Sequence, residues 1–164
     1  MSSCAEAIRV LGSQNQITEN SVDLASLGSP GAYAGIFISG AATSAGCNLV
    51  AKNEVNGSAY GIFVGEPWRP SNNNVIALNN ASVNNYAGIA ILQGSSGNKA
   101  IANQALGNAS PSFAFDIVDV NAAGTNILKD NFCETSSVGP LIPGTNICGQ
   151  PDIVGHQPPS EEEE

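Results

Sequence analysis

Charged side chains are scarce in this sequence, at 12% of 164 residues, and cations are scarcer still. The five are Arg9, Lys52, Arg69, Lys99 and Lys129. They are too few and too scattered to line a phosphate track, which argues against a nucleic-acid partner. The formal net charge of −9 owes much to the terminal run Glu161 to Glu164, without which the balance is −5. Long apolar runs are lacking too. None approaches the roughly 20 residues that a membrane-spanning helix needs, and the N-terminus has no apolar stretch of the signal-peptide kind. No membrane span is therefore expected. There is one histidine, His156, and none of the four cysteines (Cys4, Cys47, Cys133 and Cys148) stands in a C-x-x-C pair or near it. A zinc site is not expected, and no cofactor is implied.

What is abundant is asparagine, with serine, glycine and threonine, a balance that looks like a secreted or cell-surface chain. Its hydrophobic fraction of 42% is enough for one domain with a real core. The asparagines are patterned. NNNVIALNN, residues 72 to 80, contains the frame N-x-a-x-x-N-x-a, where a is apolar, as Asn74, Ile76, Asn79 and Ala81. The same frame occurs as Asn15, Ile17, Asn20, Val22 and as Asn48, Val50, Asn53, Val55. It returns as Asn98, Ala100, Asn103, Ala105 and as Asn126, Leu128, Asn131, Cys133. The copies start 33, 26, 24 and 28 residues apart, a loose period that signals a repeat architecture with insertions.

A second piece alternates with the first. Tyr33-Ala-Gly-Ile-Phe-Ile38, Tyr60-Gly-Ile-Phe-Val64, Tyr86-Ala-Gly-Ile-Ala-Ile91 and Phe113-Ala-Phe-Asp-Ile117 each read aromatic, small, then period-two alternation, the pattern of short strands. The length differences fall where Gly, Pro and Ser gather as loop residues do. A chain of short strands and turns with a period near 25 coils and stacks each coil on the last. The expected inward columns are Ile17, Val50, Ile76, Ala100, Leu128 and Val22, Val55, Ala81, Ala105, Cys133. Two more are Ile36, Ile62, Ile89, Phe115 and Ile38, Val64, Ile91, Ile117. No single coil buries enough apolar surface to offset its ordering cost, so the coils must fold together. Asn20, Asn53, Asn79, Asn103 and Asn131 fall at a bend between strands. Asparagine tolerates left-handed backbone geometry there, and stacked amides form a structural ladder. The aromatic set Tyr33, Tyr60, Tyr86 and Phe113 is expected to stack likewise.

The N-x-I-x-x-N-x-V pieces alternating with Y-G-I-x-V resemble the right-handed parallel β-helix repeat proteins, the broad pectate-lyase-like superfamily, over residues 8 to 133. The resemblance implies an all-β, right-handed parallel β-helix (solenoid) of about five coils. Residues 1–150 would form the helix with a C-terminal loop, and 151–164 a flexible acidic tail. That group includes pectate lyases, polygalacturonases, alginate epimerases, phage tailspikes and non-catalytic surface proteins, so function rests on the site.

Chemistry on sugars needs a base with a stabilising cation, or paired carboxylates. Asp116 and Asp119 are the closest acidic pair within the coils, but their spacing on a strand does not put both on one face. They read as surface acids, and no catalytic residue is assigned. Binding has better material. Phe37 and Phe63 are expected on the outward side of adjacent strands, in a column continued by Ala90 and Asp116. The loop Gly65-Glu-Pro-Trp-Arg-Pro70 adds Trp68, Arg69 and Glu66. Aromatic faces beside hydrogen-bonding charges suit sugar stacking, although Trp68 folding down over Phe37 and Phe63 is the plainer reading.

The expectation is a non-catalytic extracellular or cell-surface module that binds polysaccharide or self-assembles. A polysaccharide lyase, epimerase or hydrolase, or a fragment of one, is the alternative. Ile8 and Val10 begin inside the repeat, leaving an uncapped solenoid end at which a homo-oligomer could form. Cys133 and Cys148 are placed to close a terminal loop by a disulfide. Cys4 with Cys47 is a further pairing that the frame does not support.

Overall fold

The structure is a computed structural model that describes residues 6–23, 34–40, 46–108, 115–138 and 148–149. Tyr33, Phe113, Cys4, His156 and the tail 151–164 lie outside the described residues. The described chain is all β. One parallel sheet runs in the order β1 (Glu6–Leu11), β4 (Ala34–Ser39), β7 (Tyr60–Val64), β9 (Ala87–Ile91), β12 (Ile117–Asp119) and β15 (Ser136–Val138). A second stacks β2 (Gln16–Thr18), β5 (Leu49–Ala51), β8 (Val75–Ala77), β10 (Lys99–Ile101) and β13 (Ile127–Lys129). On the third side β3 (Ser21–Asp23) pairs with β6 (Glu54–Asn56), while β11 (Gln104–Ala105) pairs with β14 (Asn131–Cys133), which pairs in turn with β16 (Cys148–Gly149). Asn80 joins the two groups, bridging to Glu54 and to Gln104.

The chain visits the three sides in turn, so each strand meets its counterpart one coil later and the pairings between these strands are parallel. This is a parallel β-solenoid of about 4 turns. The five asparagine frames supply the strands of the second sheet, and four turns connect them, slightly fewer than the coil count the repeat implies.

Three columns run as the alternation requires. Ile17, Val50, Ile76, Ala100 and Leu128 are in register across the second sheet. Val22, Val55, Ala81, Ala105 and Cys133 join the same central core. In the first sheet Ile36, Ile62 and Ile89 align, with Ile8 before them. In β12 the expected register is wrong by two residues. Ile117 pairs with Ile89 and Asp119 with Ile91, so Ile117 replaces Phe115 in the third column and Asp119 replaces Ile117 in the fourth. Val118, not Asp116, continues the line of Phe37, Phe63 and Ala90.

The corners also differ from expectation. The left-handed residue is the one before each ladder asparagine: Glu19, Lys52, Leu78, Ala102 and Asp130 have φ between 53° and 59°. Gln14, Cys47, Asn73 and Gly97 repeat this before Asn15, Asn48, Asn74 and Asn98. The chain bends at the preceding residue, and the asparagine side chain bonds to its counterpart in the next coil. Backbone bonds still continue through the corner, as from Lys52 N–H to the Ala77 carbonyl at 3.1 Å and from Leu78 N–H to that of Ile101 at 3.2 Å.

Glycine in the Y-A-G-I pieces has a packing cause. A Cβ on Gly61 would stand 2.6 Å from the Gly88 carbonyl oxygen and 2.8 Å from Asn84 Nδ2. One on Gly88 would collide with the Ala81 carbonyl oxygen and approach Asn108 Nδ2 at 2.8 Å. The strand crosses so close to the neighbouring corner that no side chain fits.

Candidate functional site

Asparagine ladders occupy much of the polar interior. In the expected one, Asn20, Asn53, Asn79 and Asn103 each donate their side-chain amide to Oδ1 of the next asparagine, at 2.9 to 3.0 Å, ending at Asn131. Each backbone N–H of those four donates to the same oxygen. The second amide proton of Asn53, Asn79, Asn103 and Asn131 goes back to the carbonyls of Ile17, Val50, Ile76 and Ala100, all at 2.9 Å. The buried side-chain amides of Asn53, Asn79 and Asn103 thus have both protons and the oxygen paired, as a low-dielectric interior demands.

The first asparagine of each frame builds a second ladder, Asn15, Asn48, Asn74, Asn98 and Asn126. A third, which the frame does not contain, runs from the Ser58 N–H through Asn84 to Asn108. Its only sequence signal is that Asn84 and Asn108 are 24 residues apart, the same interval as Asn74 to Asn98.

Two of these ladders end on Asp119 and Asp116, which are therefore not surface acids. Asp119 is 1% exposed and Asp116 2%. Asp119 accepts Nδ2 of Asn126 at 3.0 Å, and both the backbone and side-chain amides of Asn121 at 3.0 and 2.7 Å. Asp116 stands opposite Gly88 in the next coil. Its Oδ1 accepts the backbone and side chain of Asn108 at 2.9 and 3.1 Å. Its Oδ2 accepts the N–H groups of Glu134 and Thr135 at 2.9 and 3.1 Å, with the Thr135 hydroxyl at 3.3 Å. A carboxylate has only acceptors, so it closes a row of donors that another asparagine would pass on.

The aromatic candidates separate. Phe37 and Phe63 are 1% exposed each and are not presented to solvent. They form a satellite cluster with Ala34, Ala87 and Ala90, against which Tyr60, Leu92 and Val118 pack. The two phenylalanine rings lie 5.5 Å apart, and Tyr60 approaches Phe63 at 4.7 Å and Tyr86 at 5.6 Å. The Arg9 guanidinium sits 5.3 Å from the Phe37 ring centre, a cation–π contact. The stack expected of Tyr60 and Tyr86 is thus a tilted contact that shares Phe63.

Trp68 does not cover this cluster, because it is 87% exposed. It stands at the tip of a tight hairpin in which Glu66 and Arg69 exchange backbone hydrogen bonds of 3.0 and 2.9 Å. Gly65, at φ 80°, enters the hairpin, and its N–H is held by the Ile38 carbonyl at 2.8 Å. The Arg69 carbonyl accepts Gly40 N–H at 3.2 Å, which ties the hairpin to the coil before it. Arg69 is exposed and Glu66 half-buried, and neither makes an ion pair among the described residues. The hairpin thus brings Trp68, Arg69 and Glu66 together and leaves Phe37 and Phe63 behind in the cluster.

Cys133 and Cys148 form a disulfide, with Cα atoms 4.9 Å apart, which binds β14 to β16. Cys47 is free and exposed. Among the described residues no group of three or more His, Cys, Asp or Glu side chains is placed to hold a metal. Nor is any helix there long and apolar enough to cross a membrane. No protein family, curated protein or solved structure matches the chain.

Proposed function

We propose that the chain is a non-catalytic module, secreted or on a cell surface, that binds polysaccharide through the Trp68 hairpin. On this reading it takes the right-handed form of the solenoid found in the pectate-lyase-like superfamily. The observation that carries it is the near-complete exposure of Trp68 on a hairpin fixed by its own backbone bonds and by Gly40. A ring held out in this way offers a flat apolar face at little ordering cost, and Arg69 and Glu66 supply hydrogen bonds for hydroxyls at its edge. The full occupancy of Asp116 and Asp119 by interior donors supports binding over hydrolysis or elimination, since neither carboxylate faces a substrate.

A glycan array of neutral and acidic polysaccharides tests this. Binding should be seen with the native chain and lost in Trp68→Ala with an unchanged far-UV spectrum. Equal retention by the two proteins, or no binding by either, would sink the proposal. Self-assembly has one observation of its own: Oδ1 of Asn15 and of Asn20, the first rungs of two ladders, accept no hydrogen bond among the described residues. Light scattering across a concentration series decides it, since a mass that stays at one chain removes that reading.

A further inference from the structure

Three Asn-x-Ser triplets occur in the sequence, Asn56-Gly57-Ser58, Asn80-Ala81-Ser82 and Asn108-Ala109-Ser110. This is the acceptor pattern for N-linked oligosaccharide. The fold treats the three differently. Asn108 is buried as a ladder rung, and its Nδ2 donates to Asp116 at 3.1 Å. Asn56 Nδ2 donates to Glu54 Oε1 at 3.4 Å, and with its amide turned over it would instead meet the carbonyls of Val55 and Ser82; the serine of its triplet, Ser58, is buried.

Asn80 is half-buried at the outer side of the third face, between Glu54 and Gln104. Its Oδ1 accepts the hydroxyl of Ser82, its own triplet's serine, at 2.6 Å. That hydroxyl in turn accepts Leu106 N–H at 3.2 Å, which fixes its direction. Asn80 Nδ2 donates to nothing among the described residues. Of the three triplet asparagines, it alone has a side-chain nitrogen free of the fold's hydrogen bonds.

We propose that Asn80 is a site of N-linked glycosylation, and that Asn56 and Asn108 are not. The co-reactants are a lipid-linked pyrophosphoryl oligosaccharide and its transferase. A bond forms between Nδ2 and the anomeric carbon as the bond from that carbon to the pyrophosphate oxygen breaks. The bonding pair leaves with the pyrophosphate, and Nδ2 gives up one proton. Asn80 lies on the third side of the coil, whereas the Trp68 hairpin lies between the first sheet and the second, so a glycan there leaves the hairpin open.

The test is to produce the full chain, with a secretion signal supplied, in a eukaryotic host, and to measure its intact mass before and after peptide-N-glycosidase. One removable glycan is expected, mapped to Asn80, lost in Asn80→Gln and in Ser82→Ala, and kept in Ser82→Thr. The Thr variant retains both the triplet and the hydroxyl, so it separates loss of the acceptor from loss of the fold. A chain without removable mass while a control glycoprotein carries its glycan overturns the proposal. So does a glycan on Asn56 or Asn108.

Discussion

Asp116 holds Asn108 by two hydrogen bonds to one carboxylate oxygen, from the backbone at 2.9 Å and from the side chain at 3.1 Å. Its other oxygen holds Glu134 and Thr135. Asp116→Asn must therefore turn an NH2 group against donors whichever way the amide faces. The expected loss is about 1 to 3 kcal/mol, the cost of leaving buried groups unsatisfied. Urea denaturation measures it, and a midpoint unchanged from the native chain would show that the carboxylate is not needed as an acceptor.

Asn79 and Asn72 stand in the same stretch but do different work. Asn79 accepts two bonds from Asn53 and donates to Val50 and Asn103, all at 2.9 Å and all buried. Asn72 Oδ1 accepts from Ser96, at 2.8 Å from its backbone and 3.3 Å from its hydroxyl, near the surface. Asn79→Leu should cost about 3 kcal/mol or more, and Asn72→Ser less than about 1 kcal/mol. Thermal unfolding of the two variants side by side compares them; equal effects would contradict the ladder.

Val83 is 68% exposed and has φ 55°, in a column whose neighbours are Gly57 at 74° and Gly107 at 64°. A left-handed backbone costs a non-glycine residue roughly 1 to 2 kcal/mol, more than the entropy that glycine loses on folding. Val83→Gly should raise stability by several tenths to about 1 kcal/mol. Gly57→Val should lower it. Chemical denaturation of both variants gives the signs, and the same sign for both would refute the strain argument.

The Cys133–Cys148 disulfide closes a loop with a sequence separation of 15. Replacing both cysteines by serine should cost about 3 kcal/mol. The effect should show as a fall in the denaturation midpoint that added reductant reproduces in the native chain. A native midpoint indifferent to reductant would mean that the bridge adds nothing to the stack.

Much of the solenoid could be read from the chain because identical positions stack directly. Ile17 meets Val50, and Asn53 meets Asn79, so period and register coincide. Matching apolar residues to apolar columns fails at β12. That rule cannot foresee a carboxylate inside, and Asp119 takes an isoleucine's place only because Asn121 and Asn126 surround it with donors. Phe37 and Phe63 face outward as expected yet are buried, for a related reason. Strand alternation tells which side of the sheet a residue faces, and both do face outward, but it does not tell whether other chain lies over that side. Trp68 depended on loop geometry that no periodicity encodes.

The two terminal carboxylates also make the number of coils adjustable in one place and not in another. A middle coil shows matching rungs above and below, so a duplicate of residues 74–97 spliced in behind the original would find amides waiting on both sides. A duplicate of the coil bearing Asp116 and Asp119 would instead set acceptors where the next coil needs donors. Lengthened versions of this protein are therefore to be sought by copying its middle, and the coil that carries Asp116 and Asp119 can serve as a ready-made stop for other asparagine ladders.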